Sequence, residues 1–262
     1  MATDKMLSSV DDGIGRMIFN NPERRNAVSL EMWEAAEEIL RGFAKNPDVR
    51  AVVLSGAGGR AFVSGADISK FESERSSEEG IRNYNAKVAS ANAMVATLPK
   101  PTIAEIDGYC VGGGLGLALC CDLRFCSEKS RFALPAAKLG LGYGFGGLKR
   151  LVDTVGPGAA RDIVFSARMI PAGEAYAIGL VQRVVPDGAL AETVTEYART
   201  VAANAPLTVK GMKLIVNEVL KPEAERDLAL CQELVDACFA SEDYVEGRTA
   251  FMEKRPPAFK GR

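Results

Sequence analysis

The strongest constraint on the fold is an alternation of short β-rich segments with amphipathic helical segments through the first two thirds of the chain. Strands are predicted at 14–20, 50–55, 102–106, 123–126 and 181–185. Helices are predicted at 78–98, 146–166, 172–178 and 189–203, and residues 206–253 have a helical pattern throughout. This order predicts an α/β fold with a ββα-type core and a helical C-terminal part.

The composition is typical of a folded domain. The 262 residues are 47% hydrophobic and 25% charged, which argues against a disordered or fibrous chain. With a formal net charge of -2, the chain lacks the broad basic surface expected of a nucleic-acid-binding protein. No apolar run approaches the roughly 18 residues of a membrane span, and residues 1–11 do not resemble a signal peptide. We therefore expect a cytoplasmic protein with neither nucleic acid nor a membrane as partner.

The chain contains no histidine. It therefore cannot by itself build a Ser-His-Asp triad, a Cys-His dyad or a histidine-containing zinc site. Proton transfer must come from Asp, Glu, Lys, Tyr, Cys, the backbone or the substrate. The six cysteines show no C-x-x-C spacing, and we expect them to be reduced and buried, with no metal site.

Two glycine-containing segments are typical of a site that binds a ligand through backbone amides. One is residues 62–69, where a strand runs into Gly65-Ala66-Asp67, and the other is Gly112-Gly113-Gly114 at the start of a predicted helix. Amides at a helix N-terminus are unpaired, and two such N–H groups from separate turns can form an oxyanion hole. Tight packing of a helix on a strand is the alternative explanation for these glycines. Neither segment matches a dinucleotide or phosphate-loop fingerprint.

The motifs, taken together, resemble a known family. Arg24-Arg25-Asn26-Ala27, Ser64-Gly65-Ala66-Asp67-Ile68 and the triple glycine after Gly108-Tyr109 are similar to motifs of the crotonase superfamily, also called the enoyl-CoA hydratase/isomerase family. Further matches lie at 175–185 and in the tail at 241–255, so the resemblance runs in order from about residue 14 to 259.

The resemblance implies a spiral of ββα units with a C-terminal helical region used in trimerisation. We expect a core with the acyl-CoA site at residues 1–200 and the helical region at 201–262. Members of the family bind acyl-CoA thioesters and assemble as homotrimers or homohexamers. Coenzyme A would be part of the substrate, and no separate cofactor is expected.

The resemblance also assigns roles to residues of this chain. The backbone amides of Ala66 and Gly113, the latter beside Gly112, would hold the thioester oxygen. The resemblance places Asp67 and Ile68 beside the acyl-CoA entry. It places Arg24 and Ala27 near the nucleotide and phosphate end, which Phe251 and Lys254 would reach from a neighbouring subunit.

The sequence departs from the family pattern at both catalytic acids. Family hydratases activate water between two glutamates, and the matching positions here are Gly116 and Ala136. Tyr143 follows nearby, where methylmalonyl-CoA decarboxylases of the superfamily carry a tyrosine, although those proteins have a histidine at the position of Ala66. Tyr143 is therefore a candidate catalytic residue, with a plain pocket-wall aromatic as the alternative. Glu105 is a second candidate for a relocated base.

Three functions fit these observations. The first is a hydratase or isomerase-type reaction with a relocated acid or base, and the second is decarboxylation of a malonyl-type CoA thioester, which needs no protein base. The third is a non-catalytic acyl-CoA-binding protein. Because Gly116 follows the glycine turn inside the predicted helix, we also expect a side chain to be accommodated better there than at Gly113.

Overall fold

The computed structural model describes residues 3–70 and 76–262. Its strands are β1 (Met6–Asp11), β2 (Ile14–Phe19), β3 (Ala51–Gly56), β4 (Ala61–Val63), β5 (Thr102–Ile106), β6 (Tyr109–Val111), β7 (Leu123–Ser127), β8 (Arg131–Ala133), β9 (Ile170–Pro171) and β10 (Arg183–Val185). Its helices are α1 (Leu30–Lys45), α2 (Glu78–Thr97), α3 (Gly113–Ala118), α4 (Phe145–Ser166), α5 (Ala172–Ala177), α6 (Leu190–Ala203), α7 (Pro206–Val219), α8 (Leu228–Phe239) and α9 (Glu242–Glu253).

The strands form two sheets. The larger has the order β1-β2-β3-β5-β7-β10 and the smaller β4-β6-β8-β9. Pairing is parallel except between β1 and β2 and between β8 and β9. In each of the pairs β3–β4, β5–β6 and β7–β8, the first strand joins the larger sheet, the second joins the smaller one, and a helix follows. These successive ββα units confirm the predicted architecture.

Strand β3 is apolar without alternation because helices cover both faces of the larger sheet. Val52 and Leu54 pack in the main core with α1, whereas Ala51 and Val53 face a second cluster that includes Val194 of α6. A strand buried on both faces gains from apolar residues at every position, which explains why the segment 50–55 was recognisable in the sequence.

The C-terminal helices carry several exposed apolar side chains. Phe251 is 83% exposed, and Met212, Phe239 and Met252 also reach the surface. The division of the chain into two regions stays a prediction, and its border at residue 200 falls inside α6. None of the helices described is long and apolar enough to cross a bilayer.

All six cysteines are free thiols, and four of them are buried. The expectation of uniform burial is wrong for Cys231 and Cys238, which are half-buried in α8. This helix belongs to the C-terminal part, outside the two buried clusters formed on the sheets.

Candidate active site

The two glycine turns singled out in the sequence lie against each other. The first follows β4 and the second follows β6, and these strands are parallel neighbours in the smaller sheet. Parallel neighbours end at the same edge of a sheet, so their following turns meet. A Cβ on Gly112 would lie 3.9 Å from the Cα of Gly65.

Each turn leaves one backbone amide without a partner in the described chain. Val28 N–H donates to Gly65 O at 2.9 Å and Asp67 N–H donates to Val28 O at 3.0 Å, which anchors the first turn but does not use the N–H of Ala66. Gly113 is the first residue of α3, so its N–H has no intrahelical acceptor. Two amide donors from separate turns are therefore free at the same place.

The three consecutive glycines serve different purposes. Gly112 has φ +57°, a left-handed conformation that disfavours other residues. A Cβ on Gly114 would lie 2.1 Å from Val63 O, so close helix–strand packing explains this glycine. A Cβ on Gly113 would meet no atom within 4 Å because the residue borders open space. The two explanations weighed from the sequence thus apply to different glycines of one run.

A cavity of about 530 Å³ opens beside the free amides. This volume is within the usual range for sites that bind small molecules. Its wall includes Trp33 and Tyr84, which are joined by a hydrogen bond from Trp33 Nε1 to Tyr84 Oη at 3.1 Å. Tyr84 Oη donates in turn to Val28 O, the carbonyl that anchors the Ala66 turn. One hydrogen-bonded chain thus ties α1 and α2 to the amide site.

Gly116, Ala136 and Tyr143 all line this cavity. The Oη atom of Tyr143 lies 3.2 Å from where a Cβ on Gly116 would be. No described residue forms a hydrogen bond with this hydroxyl, and burial raises the pKa of Tyr143 to about 12. The hydroxyl is therefore neutral at pH 7 and available as a hydrogen-bond donor.

The expectation that a side chain fits better at Gly116 than at Gly113 is wrong. The Tyr143 hydroxyl crowds the Cβ position at Gly116, whereas the Cβ position at Gly113 is open. The residue that places the ring is Gly147, because a Cβ there would lie 2.5 Å from Tyr143 Cε1. This contact depends on the turn that precedes α4, which the sequence pattern alone did not reveal.

Across the described parts of the chain, no aspartate, glutamate, lysine or arginine lines the cavity. Glu105 lies elsewhere: its Oε2 is 3.5 Å from Arg16 Nη1, and Arg16 also bonds Thr195 of α6. Burial raises the pKa of Glu105, but its side chain is not brought to the amides. The idea that Glu105 is a relocated base is therefore not supported.

Three of the other predicted substrate-binding residues, Asp67, Arg24 and Ala27, do not line the cavity. Asp67 Oδ1 accepts hydrogen bonds from the N–H and Oγ of Ser69 at 3.0 and 2.6 Å, so this carboxylate stabilises its own turn. The side chain of Ile68 lies outside the described part of the chain. Arg24 is exposed beside the site, its carbonyl accepting a hydrogen bond from the cavity residue Ser64, whereas Ala27 is buried.

Phe251 and Lys254 do not line the cavity within one chain. Phe251 lies on α9 and borders a separate groove among the C-terminal helices, and Lys254 follows the end of α9. A contribution to the site from a neighbouring subunit stays a prediction for both residues.

Sequence reasoning missed two polar cavity residues, Asn85 and Asn92, both on α2. Their spacing of seven residues places them on one helix face, and this was the available signal. It gave no indication by itself that the face borders a cavity.

Comparisons with known proteins agree with the fold. Residues 9–262 match the family model described as enoyl-CoA hydratase/isomerase. The short-chain-enoyl-CoA hydratase of Clostridium acetobutylicum is 35% identical over 263 residues and covers 100% of both chains. The crotonyl-CoA hydratase of Syntrophomonas wolfei is 31% identical over 99% of both chains.

A solved structure has the same fold as this chain. The crystal structure of enoyl-CoA hydratase from Bacillus anthracis superposes with a TM-score of 0.93 at 32% identity, covering 99% of this chain and 100% of the other. With matches of this extent in both sequence and structure, the chain belongs to the enoyl-CoA hydratase/isomerase family of the crotonase superfamily.

Proposed function

We propose that this enzyme decarboxylates a malonyl-type acyl-CoA thioester. The observation that carries the proposal is the cavity wall, which among the described residues has no carboxylate and no cation but has the neutral hydroxyl of Tyr143. Hydration needs one group to deprotonate water and another to protonate the α-carbon. Decarboxylation generates the carbanion without any protein base.

The free amides of Ala66 and Gly113 are suited to the charge that this reaction develops. When the bond between the α-carbon and the carboxylate breaks, its electron pair passes into the thioester as an enolate and CO₂ leaves. The two N–H groups would stabilise the enolate oxygen without reorganising, and such a donor typically contributes about 10²–10³ in rate. A proton from water, or from Tyr143 with water restoring it, then completes the acyl-CoA product.

The uncharged lining of the cavity also favours loss of CO₂ from the substrate. A carboxylate in a cavity without a countercharge loses much of the stabilisation that water provides, whereas neutral CO₂ loses little. The thioester oxygen that receives the charge would meet two amide donors. The site thus favours the products over the bound anion.

A hydratase or isomerase-type reaction is the second candidate because the relatives named above are hydratases. Among the described cavity residues, Tyr143 would then be the relocated acid or base. Burial raises its pKa to about 12, so the hydroxyl stays protonated at pH 7 and is not available as a base, while it is also a weak acid. As part of either proposal, we also expect a homotrimer or homohexamer in which Phe251 and Lys254 reach a neighbouring site.

The experiment is an assay of the purified protein with methylmalonyl-CoA and with crotonyl-CoA, with the products identified by mass. We expect conversion of methylmalonyl-CoA to propionyl-CoA, and a lower kcat when Tyr143→Phe removes the hydroxyl. Rapid hydration of crotonyl-CoA without decarboxylation would favour the second candidate. Tight binding without turnover of either thioester would identify a non-catalytic acyl-CoA-binding protein.

One control addresses the segment at 71–75, outside the described residues, whose sequence contains Glu72 and Glu74. The double variant Glu72→Gln with Glu74→Gln should keep its decarboxylase rate. If the double variant loses the activity, a carboxylate takes part and the base-free mechanism is wrong.

A further inference from the structure

Asn92 is a polar residue of the cavity whose side chain has no partner in the described structure. It lies on α2 and lines the cavity beside apolar residues such as Val88 and Leu134. Its Oδ1 atom is fully buried and accepts no hydrogen bond. Its Nδ2 atom is not among the fully buried polar atoms and donates to no described residue, so it is open to a ligand.

An unpartnered amide next to a cavity costs stability that an apolar residue would not cost. The same face of α2 carries Asn85, which is exposed, and Asn92 is seven residues further along. At 1.5 Å per residue, this places Asn92 about 10 Å further along the helix. Because Asn92 is half-buried with a fully buried oxygen whereas Asn85 is exposed, Asn92 would lie toward the enclosed end of the cavity.

The enclosed end is where the acyl group would lie. Helix α2 contacts α3, and α3 carries both the free amide of Gly113 and the cavity residue Gly116. A thioester held at Gly113 would therefore extend its acyl chain between the two helices. Tyr143 reaches the same region, since its hydroxyl lies against Gly116.

We propose that Asn92 donates a hydrogen bond from Nδ2 to the carboxylate of the acyl group, and so selects carboxylated acyl chains over plain alkyl chains. This inference rests on the proposed decarboxylase function. A neutral amide suits that reaction better than a cation does, because it orients the carboxylate while stabilising the anion less. Asn92 is thus a specificity-determining residue of the acyl site.

The test compares two ligands that differ only in the anionic group. One is propionyl-CoA, and the other is 2-sulfopropionyl-CoA, whose sulfonate cannot leave as CO₂. Dissociation constants are measured by titration calorimetry for the wild type, Asn92→Leu and Asn92→Asp. The control is Asn83→Leu, the same change at an exposed position of α2 that does not line the cavity.

We expect the wild type to prefer 2-sulfopropionyl-CoA and Asn92→Leu to lower that preference about tenfold or more, as the loss of a hydrogen bond to a charged group does. Asn92→Asp should lower the preference further through charge repulsion, and Asn83→Leu should leave it unchanged. Thermal unfolding of Asn92→Leu should occur no lower than that of the wild type, because the variant removes an unpartnered oxygen. An unchanged preference in Asn92→Leu, or no preference in the wild type, would overturn the inference.

The result separates this inference from the proposed function. A preference that depends on Asn92, in a protein that does not decarboxylate methylmalonyl-CoA, would disprove the decarboxylase and retain the anion-binding role of Asn92. If the wild type decarboxylates methylmalonyl-CoA but Asn92→Leu keeps the preference for 2-sulfopropionyl-CoA, the decarboxylase function is retained and the role of Asn92 is disproved.

Discussion

Introducing glutamates at the two family positions should create more hydratase activity when the Tyr143 hydroxyl is also removed. The variants are Gly116→Glu with Ala136→Glu, alone and combined with Tyr143→Phe. A Cβ on Gly116 would lie 3.2 Å from Tyr143 Oη, closer than the 3.4–4 Å of an ordinary contact. The tyrosine ring is also tight against Gly147, where a Cβ would be 2.5 Å from Cε1, so the ring has little freedom to retreat.

The expected size of the effect follows from what each group contributes. A positioned acid or base typically contributes about 10²–10⁴ in rate, and two that act as a unit are not additive. We therefore expect the triple variant to hydrate crotonyl-CoA at least about 10²-fold faster than the wild type. The double variant should gain less, because its first glutamate must displace the hydroxyl that the triple variant lacks.

The assay follows loss of the conjugated enoyl-thioester absorbance, with all proteins at equal concentration and with circular dichroism as a check of folding. Two results would refute the reasoning. Wild-type hydration within the ordinary enzyme range of about 1–10³ per second would mean that Tyr143, or a base outside the described cavity wall, acts on water. A double variant as active as the triple variant would mean that the Tyr143 hydroxyl does not restrict this space.

Three further predictions concern packing and titration. Gly147→Ala should displace the ring of Tyr143 and lower kcat for decarboxylation about as much as Tyr143→Phe does, and an unchanged kcat would contradict this. Gly114→Ala should destabilise the fold by about 3 kcal/mol or more in urea unfolding, because its Cβ would lie 2.1 Å from Val63 O, whereas Gly113→Ala should not. Burial raises the pKa of Glu105 in the folded chain. Between the pKa of the unfolded chain and that of the folded chain, the native state keeps a proton that the unfolded state has released. The free energy of unfolding therefore falls as the pH rises from the first value to the second. The free energy of unfolding of Glu105→Gln, measured in urea relative to the wild type, should therefore be higher at pH 8 than at pH 5. The same difference from the wild type at both pH values would show that the pKa of Glu105 is not raised.

The sequence alone was enough to predict the ββα architecture and the two amide turns. Strand β3 begins with four consecutive apolar residues because both faces of the larger sheet are covered. The amphipathic helices are recognisable from apolar residues that recur every three or four positions. The strands of the smaller sheet are only two or three residues long, too short to show a period, and β6, β8 and β9 were not predicted. The helix after the triple glycine ends at Ala118, although the apolar run continues to Cys121.

The chemistry of the cavity was decided by tertiary structure. The sequence indicated that Gly116 and Ala136 lack the family's carboxylates. Only the fold brings Tyr143 into the space beside Gly116 and places Glu105 beside Arg16 in the larger sheet, away from the turns of the smaller sheet. The unpartnered amide of Asn92 is likewise invisible in a helical pattern that contains several polar residues. Periodicity and turn residues report local backbone preferences, whereas burial, pKa and hydrogen-bond partners depend on neighbours that are distant in the chain and that only folding brings into contact.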